Sequence, residues 1–351
     1  MAQSNYFEGN RWQRRWNVVV EFWKRGLDPR YLWYRIKFRW APTLDIVTKF
    51  PTHVDIELSD ACNLRCVMCT QGIEDGVKGA ANMDTSLAKR MIDQGSAHGL
   101  RSIKVNWRGE SSLHKDLEEV VRYAKSKGIL DVQMNTNGIP FTAERIRKII
   151  SAGLDRVIFS IDGATKETYE RIRVRASYEK LYENVMTFWN IRNELGRVKP
   201  FIRIQMVRMK ENAHEVEQFM RMWQPIADDI RISDVSNRGQ GDASVGDQVP
   251  VARAVCPQPW QRMIVSRDGQ VLPCCSDWHR EWVIGDATTE DLAGIWTGKR
   301  MSALRKLLRE RKLDKFKPCN HCFVKESYVW KRVTREMLEQ IKSGEQKLYR
   351  Y

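Results

Sequence analysis

Three cysteines lie close together in the stretch DACNLRCVMCTQG, residues 60–72. Cys62, Cys66 and Cys69 have the spacing C-x3-C-x2-C and follow a short apolar segment that is typical of a strand. Thiolates on one loop can converge on one iron–sulfur cluster. A [4Fe-4S] cluster offers one more iron than three cysteines can bind, so one iron stays open to an exchangeable small molecule. A zinc site completed by His or water, and three core cysteines without metal, are the alternatives.

Five further cysteines lie in the C-terminal part of the chain. They are Cys256, Cys274, Cys275, Cys319 and Cys322. In a reducing compartment, cysteines in such numbers are metal ligands more often than disulfide partners. One closed cluster with four thiolate ligands would leave one cysteine over. A structural zinc site built from the same thiols is the alternative.

The elements that must position these cysteines can be predicted from hydrophobic periodicity. Between residues 53 and 234, short apolar segments alternate with amphipathic ones, which predicts parallel strands joined by helical crossovers. The predicted strands are residues 54–58, 102–107, 131–135, 156–161, 201–207 and 229–233. This pattern predicts an α/β fold, a partial (βα)6 TIM-like barrel, in which chemistry is expected where the strands end.

The chain divides into five predicted segments. In residues 1–50, Trp12, Trp16 and Trp23 recur at helical spacing, and the segment rich in Gly and Ser around residue 240 is typical of a linker. The segments are a basic, aromatic helical extension (1–50), the barrel (51–235), a linker (236–250), a small α+β cluster domain with a hairpin at RMIVSRDGQVLPCC (251–326) and a C-terminal helix (327–351).

Several segments at the predicted strand ends resemble those of one enzyme family. The cysteine stretch, WRGESSLHKDL, NTNG and SIDGATKETYERIR together resemble the signature of the radical SAM superfamily. Met68 stands where that family usually has an aromatic residue, and Arg108 replaces the first glycine of its Gly-Gly-Glu segment. The resemblance implies that Cys62, Cys66 and Cys69 hold a [4Fe-4S] cluster whose open iron binds S-adenosyl-L-methionine (SAM).

The resemblance also implies a set of SAM-binding residues. The carboxylate of Glu110 would accept a charge-assisted hydrogen bond from the SAM ammonium, Ser160 would contact its ribose or carboxylate, and Arg173 would pair with the carboxylate. For Asn137 and Ser160, ordinary turn chemistry is the alternative. The implied set is Gly109, Glu110, Asn137, Ser160 and Arg173.

The SIDGATKETYERIR segment resembles the radical SAM subgroup with cluster-bearing C-terminal extensions. The larger extension, SPASM, carries two extra clusters, and the shorter one, twitch, carries one. The cysteine count favours twitch, as in the aminocyclitol dehydrogenase of butirosin biosynthesis. Gly269 lies five residues before Cys274, which resembles the Gly-x4-Cys element of the extension, although Cys275 stays open as the ligand instead. The implied ligands of the auxiliary [4Fe-4S] cluster are Cys256, Cys274, Cys319 and Cys322.

The implied activity is cleavage of SAM to a 5′-deoxyadenosyl radical, which abstracts hydrogen from a polar substrate. We expect an oxidoreductase that converts a sugar or aminocyclitol alcohol to a ketone and receives electrons from a flavodoxin- or ferredoxin-type protein. The alternatives are a sugar epimerase with Cys275 as hydrogen donor, a peptide-modifying maturase and a non-catalytic electron carrier. Arg203 and Gln205 share one face of the predicted fifth strand and are candidates to face the substrate.

The chain has a formal net charge of +15, with basic residues concentrated in 11–40 and 299–317. A solvated basic face is one reading, and the others are a small anionic substrate, a membrane surface contacted through residues 1–40, or nucleic acid. Nucleic acid ranks last because no recognisable binding module accompanies the charge. The first residues lack the apolar segment of a secretory signal, so we expect a cytoplasmic location.

Overall fold

The computed structural model describes residues 28–234, 256–310, 312, 319 and 322, and in this part of the chain helices pack on a nine-stranded sheet. The predicted linker, the predicted C-terminal helix and the Trp12, Trp16 and Trp23 pattern lie outside the described residues.

The strands are β1 (His53–Ile56), β2 (Arg65–Cys66), β3 (Ser102–Lys104), β4 (Asp131–Thr136), β5 (Arg156–Ser160), β6 (Arg173–Val174), β7 (Phe201–Arg208), β8 (Asp229–Asp234), β9 (Arg262–Val265), β10 (Gln270–Leu272) and β11 (Gly285–Asp286). The α-helices are α1 (Pro29–Thr43), α2 (Thr70–Ile73), α3 (Thr85–Ala97), α4 (Leu117–Ser126), α5 (Ala143–Ala152), α6 (Lys166–Ile172), α7 (Tyr178–Glu194), α8 (Val216–Trp223), α9 (Gln258–Gln261), α10 (Leu292–Thr297) and α11 (Lys299–Arg309). Short 3-10 turns cover Ser111–Leu113 and Ala213–Glu215.

The main sheet has the strand order β11-β10-β9-β1-β3-β4-β5-β7-β8. All six predicted barrel strands are present as parallel neighbours, which confirms the α/β partial-barrel fold class. Strand β3 ends earlier than predicted because the Asn106 side chain replaces a backbone acceptor, taking a hydrogen bond of 2.8 Å from the Asn135 amide. The short strands β2 and β6 pair separately, next to the cysteine loop.

The C-terminal segment continues the barrel sheet. The predicted hairpin is confirmed as β9 and β10, with Gly269 in its turn at a φ of +91°, a conformation that favours glycine. Strand β9 pairs in parallel with β1 along four residues, from the His53–Arg262 pair to the Ile56–Val265 pair. The sequence pattern indicated a small domain of its own but gave no sign of this shared sheet. The hairpin that leads to Cys274 and Cys275 therefore lies next to β1, which leads to the loop with Cys62.

The two faces of the sheet differ in polarity. In β7, Ile202, Ile204 and Met206 are fully buried on the helix side, whereas Arg203 and Gln205 lie on the opposite, concave face. The same alternation occurs in β1, β3 and β4, where the apolar positions join the core cluster. In β5, Val157 and Phe159 join the core cluster, while the apolar Ile158 lies on the face of Arg156 and Ser160. The sequence-based prediction that Arg203 and Gln205 share a face is confirmed.

A buried ion network joins the barrel to the C-terminal hairpin. Glu57 follows β1, Arg108 follows β3, and two hydrogen bonds of 2.9 Å connect the guanidinium to both carboxylate oxygens. In the β9–β10 turn, the Arg267 amide donates to Glu57 at 3.2 Å, and its Nε donates to Asp60 at 2.8 Å. Both carboxylates are fully buried. Each buried carboxylate is therefore neutralised by an arginine from a distant part of the chain.

Replacing one carboxylate of this network should be costly. In Glu57→Gln, the buried Arg108 loses its closest charge partner, and we expect the free energy of unfolding to fall by about 3 kcal/mol. Urea unfolding followed by tryptophan fluorescence measures this change. The matched control is Glu179→Gln, which breaks an exposed pair with Lys166 and should leave the unfolding curve unchanged. Equal curves for the two variants would contradict the importance of the network.

Candidate functional site

The three N-terminal cysteines occupy one tight loop and turn at the carboxyl end of β1. Cys66 ends β2, and Cys69 is the residue before α2, where its amide donates to the Cys66 carbonyl at 3.0 Å. A Cβ added at Gly72 would lie 2.0 Å from the same carbonyl oxygen, so only glycine fits there. The sequence analysis missed Gly72, although it stands in the quoted cysteine stretch. The loop thus brings the three thiols together as predicted.

Two side chains place N–H groups near the thiols. Asn137 Nδ2 lies 4.0 Å from Cys62 Sγ, and Arg173 Nη1 lies 3.8 Å from Cys66 Sγ. The Asn137 amide also donates to Asn63 Oδ1 at 2.9 Å, which fixes its orientation. Donors beside a metal-bound sulfur stabilise its negative charge and influence the reduction potential of a cluster.

The electrostatics of the thiols favour a cationic centre among them. Burial, with further contributions from Glu110 and the two neighbouring thiols, raises the pKa of Cys62 to about 12. Burial also raises the pKa of Cys66, against the effect of Arg173. Metal ligation needs thiolates, and a bound cation supplies the charge that stabilises them. The donor set and its N–H neighbours therefore fit an iron–sulfur cluster.

The zinc alternative is less well supported by the geometry. Within the described ranges, no three His, Cys, Asp or Glu side chains converge closely enough to hold one metal ion. A single zinc ion requires ligand atoms about 2.0–2.3 Å away.

Glu110 connects three loops at the site. Its carboxylate accepts hydrogen bonds from the Ser112 amide and hydroxyl, from the Thr136 hydroxyl at 2.8 Å and from the Asn137 amide at 2.7 Å. Three of these donors bind Oε1 and one binds Oε2, so Oε2 keeps an acceptor position for a ligand. The bond from the SAM ammonium to Glu110 stays a prediction. The contacts that the structure does show position the loop after β4.

Gly109 packs directly on the cysteine loop. An added Cβ would lie 2.2 Å from the Ser59 carbonyl oxygen and 2.6 Å from that of Ala61. The next amide, that of Glu110, donates to the Ala61 carbonyl at 2.8 Å. The predicted site residue Gly109 therefore has a steric reason for its identity, because the backbone of residues 59–61, directly before Cys62, lies against it.

Arg173 has a protein partner that the sequence analysis did not foresee. Its guanidinium lies 2.6 Å from Asp162 and is buried. Burial lowers its pKa, but the Asp162 carboxylate and the Cys66 thiol outweigh burial, and the net shift is upward. Its Nε has no acceptor among the described residues. One donor is thus left for a ligand, and the pairing with a SAM carboxylate stays a prediction.

Ser160 ends β5 beside Gln205 of β7 and is partly exposed. Among the described residues its hydroxyl has no hydrogen-bond partner, so it can donate to a ligand. The Ser160 hydroxyl therefore makes no hydrogen bond of the kind that stabilises a turn. Asn137 does make one, because its side-chain oxygen accepts from the Ile139 amide at 3.0 Å.

The five C-terminal cysteines lie near one another. Burial raises the pKa of Cys274 well above its ordinary value, and each of the other four thiols adds to the shift. Burial raises the pKa of Cys256 to about 12, with Cys322 and Cys275 contributing. The Cys322 amide donates to the Cys319 carbonyl at 3.3 Å. This neighbourhood fits a second cluster.

Trp107 connects the barrel to the five C-terminal cysteines, called the second thiol group from here on; Cys62, Cys66 and Cys69 are the first thiol group. Its indole Nε1 donates to the Cys275 carbonyl at 3.0 Å. The Arg108 guanidinium lies 4.4 Å from the Trp107 ring centroid and 5.9 Å from that of Trp278. Gln71, next to the first thiol group, donates to the Arg108 carbonyl at 3.1 Å. In the sequence, this connection is indicated only by Arg108, which stands where the Gly-Gly-Glu segment of the family has its first glycine.

Comparison with known families agrees with this geometry. Residues 56–222 match the model of the radical SAM superfamily, and residues 256–323 match that of SPASM, an iron–sulfur cluster-binding domain. The two matches confirm the predicted cofactors, a SAM-binding [4Fe-4S] cluster and an auxiliary iron–sulfur cluster.

Relatives of known function carry out varied chemistry. The tungsten-containing aldehyde ferredoxin oxidoreductase cofactor-modifying protein of Pyrococcus furiosus is 25% identical over 298 residues, which are 71% of this chain and 82% of that protein. The AdoMet-dependent heme synthase of Methanosarcina barkeri is 35% identical over 127 residues, only 36% of each chain. The GTP 3′,8-cyclase of Desulforamulus reducens is 29% identical over 192 residues, 54% of this chain and 56% of that protein.

Two solved structures share the fold. SuiB of Streptococcus suis, bound to its precursor peptide SuiA, has a TM-score of 0.63 at 14% identity, covering 80% of this chain and 71% of that one. BtrN in complex with AdoMet and 2-DOIA has a TM-score of 0.55 at 19% identity, covering 80% of this chain and 95% of that one. At these identities the likeness concerns the fold alone.

The packing of Gly109 on the cysteine loop gives a testable consequence. Gly109→Ala should displace the loop that carries Cys62, because the new methyl group meets two backbone carbonyls. We expect it to lose the first cluster after anaerobic reconstitution and keep the second, which halves the iron content. Iron analysis and visible absorbance measure this. Gly294→Ala is the control, since nothing lies within 4 Å of an added Cβ there. Full iron loading of Gly109→Ala would contradict the assignment.

Proposed function

The chain belongs to the radical SAM superfamily and carries a SPASM iron–sulfur domain, and from this premise we propose that it is a dehydrogenase of a polar small molecule. The proposed reaction oxidises an alcohol of a sugar or aminocyclitol to a ketone. The observation that carries the proposal is the polar concave face of the sheet next to the first thiol group. The second thiol group supports it, because this oxidation requires an electron acceptor.

The concave face presents hydrogen-bonding groups where TIM barrels usually have apolar side chains. Gln205 lies beside Ser160 across the β5–β7 pair, and Arg203 lies one inward position deeper, about 6.6 Å along the strand. On β4, the buried Asn135 Oδ1 has no hydrogen-bond partner among the described residues. Unfilled polar groups of this kind suit a ligand with several hydroxyl groups.

The same face has a surplus of positive charge around Arg203. Its Nε donates to Asp229 at 2.6 Å, while Arg231 and Arg156 lie close enough to repel it. Burial and these two arginines lower the pKa of Arg203 to about 10, so it is still protonated at neutral pH. We infer that the substrate carries an anionic group, such as a carboxylate or phosphate, that Arg203 binds.

The cysteines divide between the two cofactors. Cys62, Cys66 and Cys69 would hold the SAM-binding cluster, and Cys256, Cys274, Cys319 and Cys322 would hold the auxiliary cluster. When bound, the first cluster and SAM supply a 5′-deoxyadenosyl radical that abstracts hydrogen, and the auxiliary cluster supplies an electron acceptor.

The remaining site residues would hold SAM in place. Arg173 Nε is a buried donor that the described residues leave unused, and the partly exposed Ser160 hydroxyl ends β5 beside it in the site, so we assign both to SAM. Glu110 and Gly109 fix the loops that surround it, and Asn137 orients the first cysteine through its amide. A flavodoxin- or ferredoxin-type reductant would supply the electron that starts each cycle.

Cys275 favours a second candidate, epimerisation. It lies outside the proposed ligand set and is partly exposed, beside Cys256 and Cys274. A thiol there could return a hydrogen atom to the substrate carbon, which inverts the alcohol instead of oxidising it. The two reactions differ at the product carbon, which carries no hydrogen in the ketone and carries a hydrogen returned by the thiol in the inverted alcohol.

Turnover in deuterium oxide distinguishes these reactions. The reconstituted protein would be incubated with SAM, dithionite and a panel of sugars and aminocyclitols that includes 2-DOIA. Dehydrogenation predicts a ketone without solvent deuterium, formed equally by Cys275→Ala. Mass spectrometry and NMR measure the product. An inverted alcohol with one solvent deuterium, lost in Cys275→Ala, would contradict the dehydrogenase and establish the epimerase.

A further inference from the structure

Helix α1 is mounted firmly at the amino ends of the barrel strands. Its inner face buries Tyr31 and Tyr34, and the Phe38 ring packs edge-on at 6.4 Å from His53, the first residue of β1. Gln261 donates to the Phe38 carbonyl at 2.7 Å, and Trp260 donates to Asp45 at 3.0 Å just after the helix. The helix therefore has a fixed orientation on the protein.

The outer face of α1 carries an exposed apolar stripe. Its members, called the tryptophan stripe from here on, share one side of the helix at spacings of one, three and four residues. They are Leu32, Trp33, Ile36 and Trp40, with exposed fractions of 44%, 56%, 38% and 42%. The exposed residues Leu44, Ile46 and Val47 continue the apolar surface beyond the helix end. Such a continuous exposed patch marks a docking site.

Basic residues flank the stripe on both sides. At 100° per residue, Arg30 and Lys37 lie on one side of it and Arg35 and Arg39 on the other. Helix α1 contains four basic residues and no acidic one, and of these Arg30 is paired at 2.8 Å with Asp28, the N-cap of the helix, so the cationic border consists mainly of Arg35, Lys37 and Arg39. Lys37 Nζ lies 5.3 Å from the Trp33 ring centroid, which places positive charge directly at the edge of the apolar surface.

We propose that the tryptophan stripe docks the protein on an anionic lipid bilayer. Tryptophan and aliphatic side chains bordered by Lys and Arg are the composition of interfacial helices, which bury the apolar face in the headgroup region. The surrounding cations complement anionic headgroups, each contributing attraction that salt weakens. No helix among the described residues is long and apolar enough to cross a membrane.

Docking through α1 would leave the catalytic site facing the solvent. The helix covers the amino ends of β1, β3 and β4, because Tyr34 and Phe38 lie near Asp131, Ser102 and His53. The cysteine loop and Ser160 lie at the opposite, carboxyl ends of the strands. Membrane binding and SAM cleavage should therefore be independent of each other.

Cosedimentation with vesicles tests the proposal. The full chain, anaerobically reconstituted, would be mixed with vesicles of phosphatidylcholine or of phosphatidylcholine with 30% phosphatidylglycerol, in low and high salt. We expect binding to the anionic vesicles, weakened by salt. Trp33→Ser/Ile36→Ser/Trp40→Ser should reduce it at least about tenfold, and Lys37→Gln/Arg39→Gln should remove the preference for anionic lipid. Val198→Ser/Met220→Ser, exposed apolar residues elsewhere, is the control.

Three outcomes would overturn the proposal. One is failure of the full chain to bind anionic vesicles. Another is undiminished binding by the stripe variant, which would assign vesicle binding to another basic segment. The third is a concentration-dependent dimer in light scattering that the stripe variant abolishes, because the stripe would then bind a second copy of the chain. SAM cleavage by the stripe variant shows that it is folded.

Discussion

The buried ion network around Glu57 and Asp60 determines how the two halves of the site meet. Two carboxylates without solvent access would be strongly destabilising unless cations neutralise them. The cations come from separate segments, Arg108 after β3 and Arg267 in the C-terminal hairpin. Cys62 follows the same two carboxylates in the chain, and Cys274 and Cys275 follow the same hairpin. One electrostatic constraint thereby fixes the start of the first cysteine loop and the end of the hairpin relative to the barrel.

Arg108 gives this chain its particular character within the family. Where the family motif has a glycine, this arginine forms a bidentate pair with Glu57 and lies over the Trp107 ring. Trp107 in turn binds the Cys275 carbonyl, and Gln71 binds the Arg108 carbonyl. A continuous set of contacts thus runs from Gln71, next to the N-terminal cysteine loop, to Cys275. Contacts of this kind hold two sites in a fixed relative position.

The local sequence pattern was sufficient to predict the barrel strands, since each strand has alternating or continuous apolar residues between clear turn signals. The shared face of Arg203 and Gln205 could be located for the same reason, whereas the cysteine sets and Gly109 came from the resemblance to the radical SAM signature. Contacts between residues that are distant in the sequence could not be predicted in this way. Nothing in the residues near Arg173 indicates Asp162 as its partner, and the four donors on Glu110 come from two separate loops. The parallel pairing of β9 with β1 is likewise set by tertiary packing.

The most direct measurement of the central claim is iron content together with SAM cleavage after anaerobic reconstitution. The account predicts about eight irons per chain and dithionite-dependent formation of 5′-deoxyadenosine. It predicts that Cys62→Ala/Cys66→Ala/Cys69→Ala retains about four irons and forms no 5′-deoxyadenosine. About four irons in the unaltered protein, or SAM cleavage by the triple variant, would contradict it.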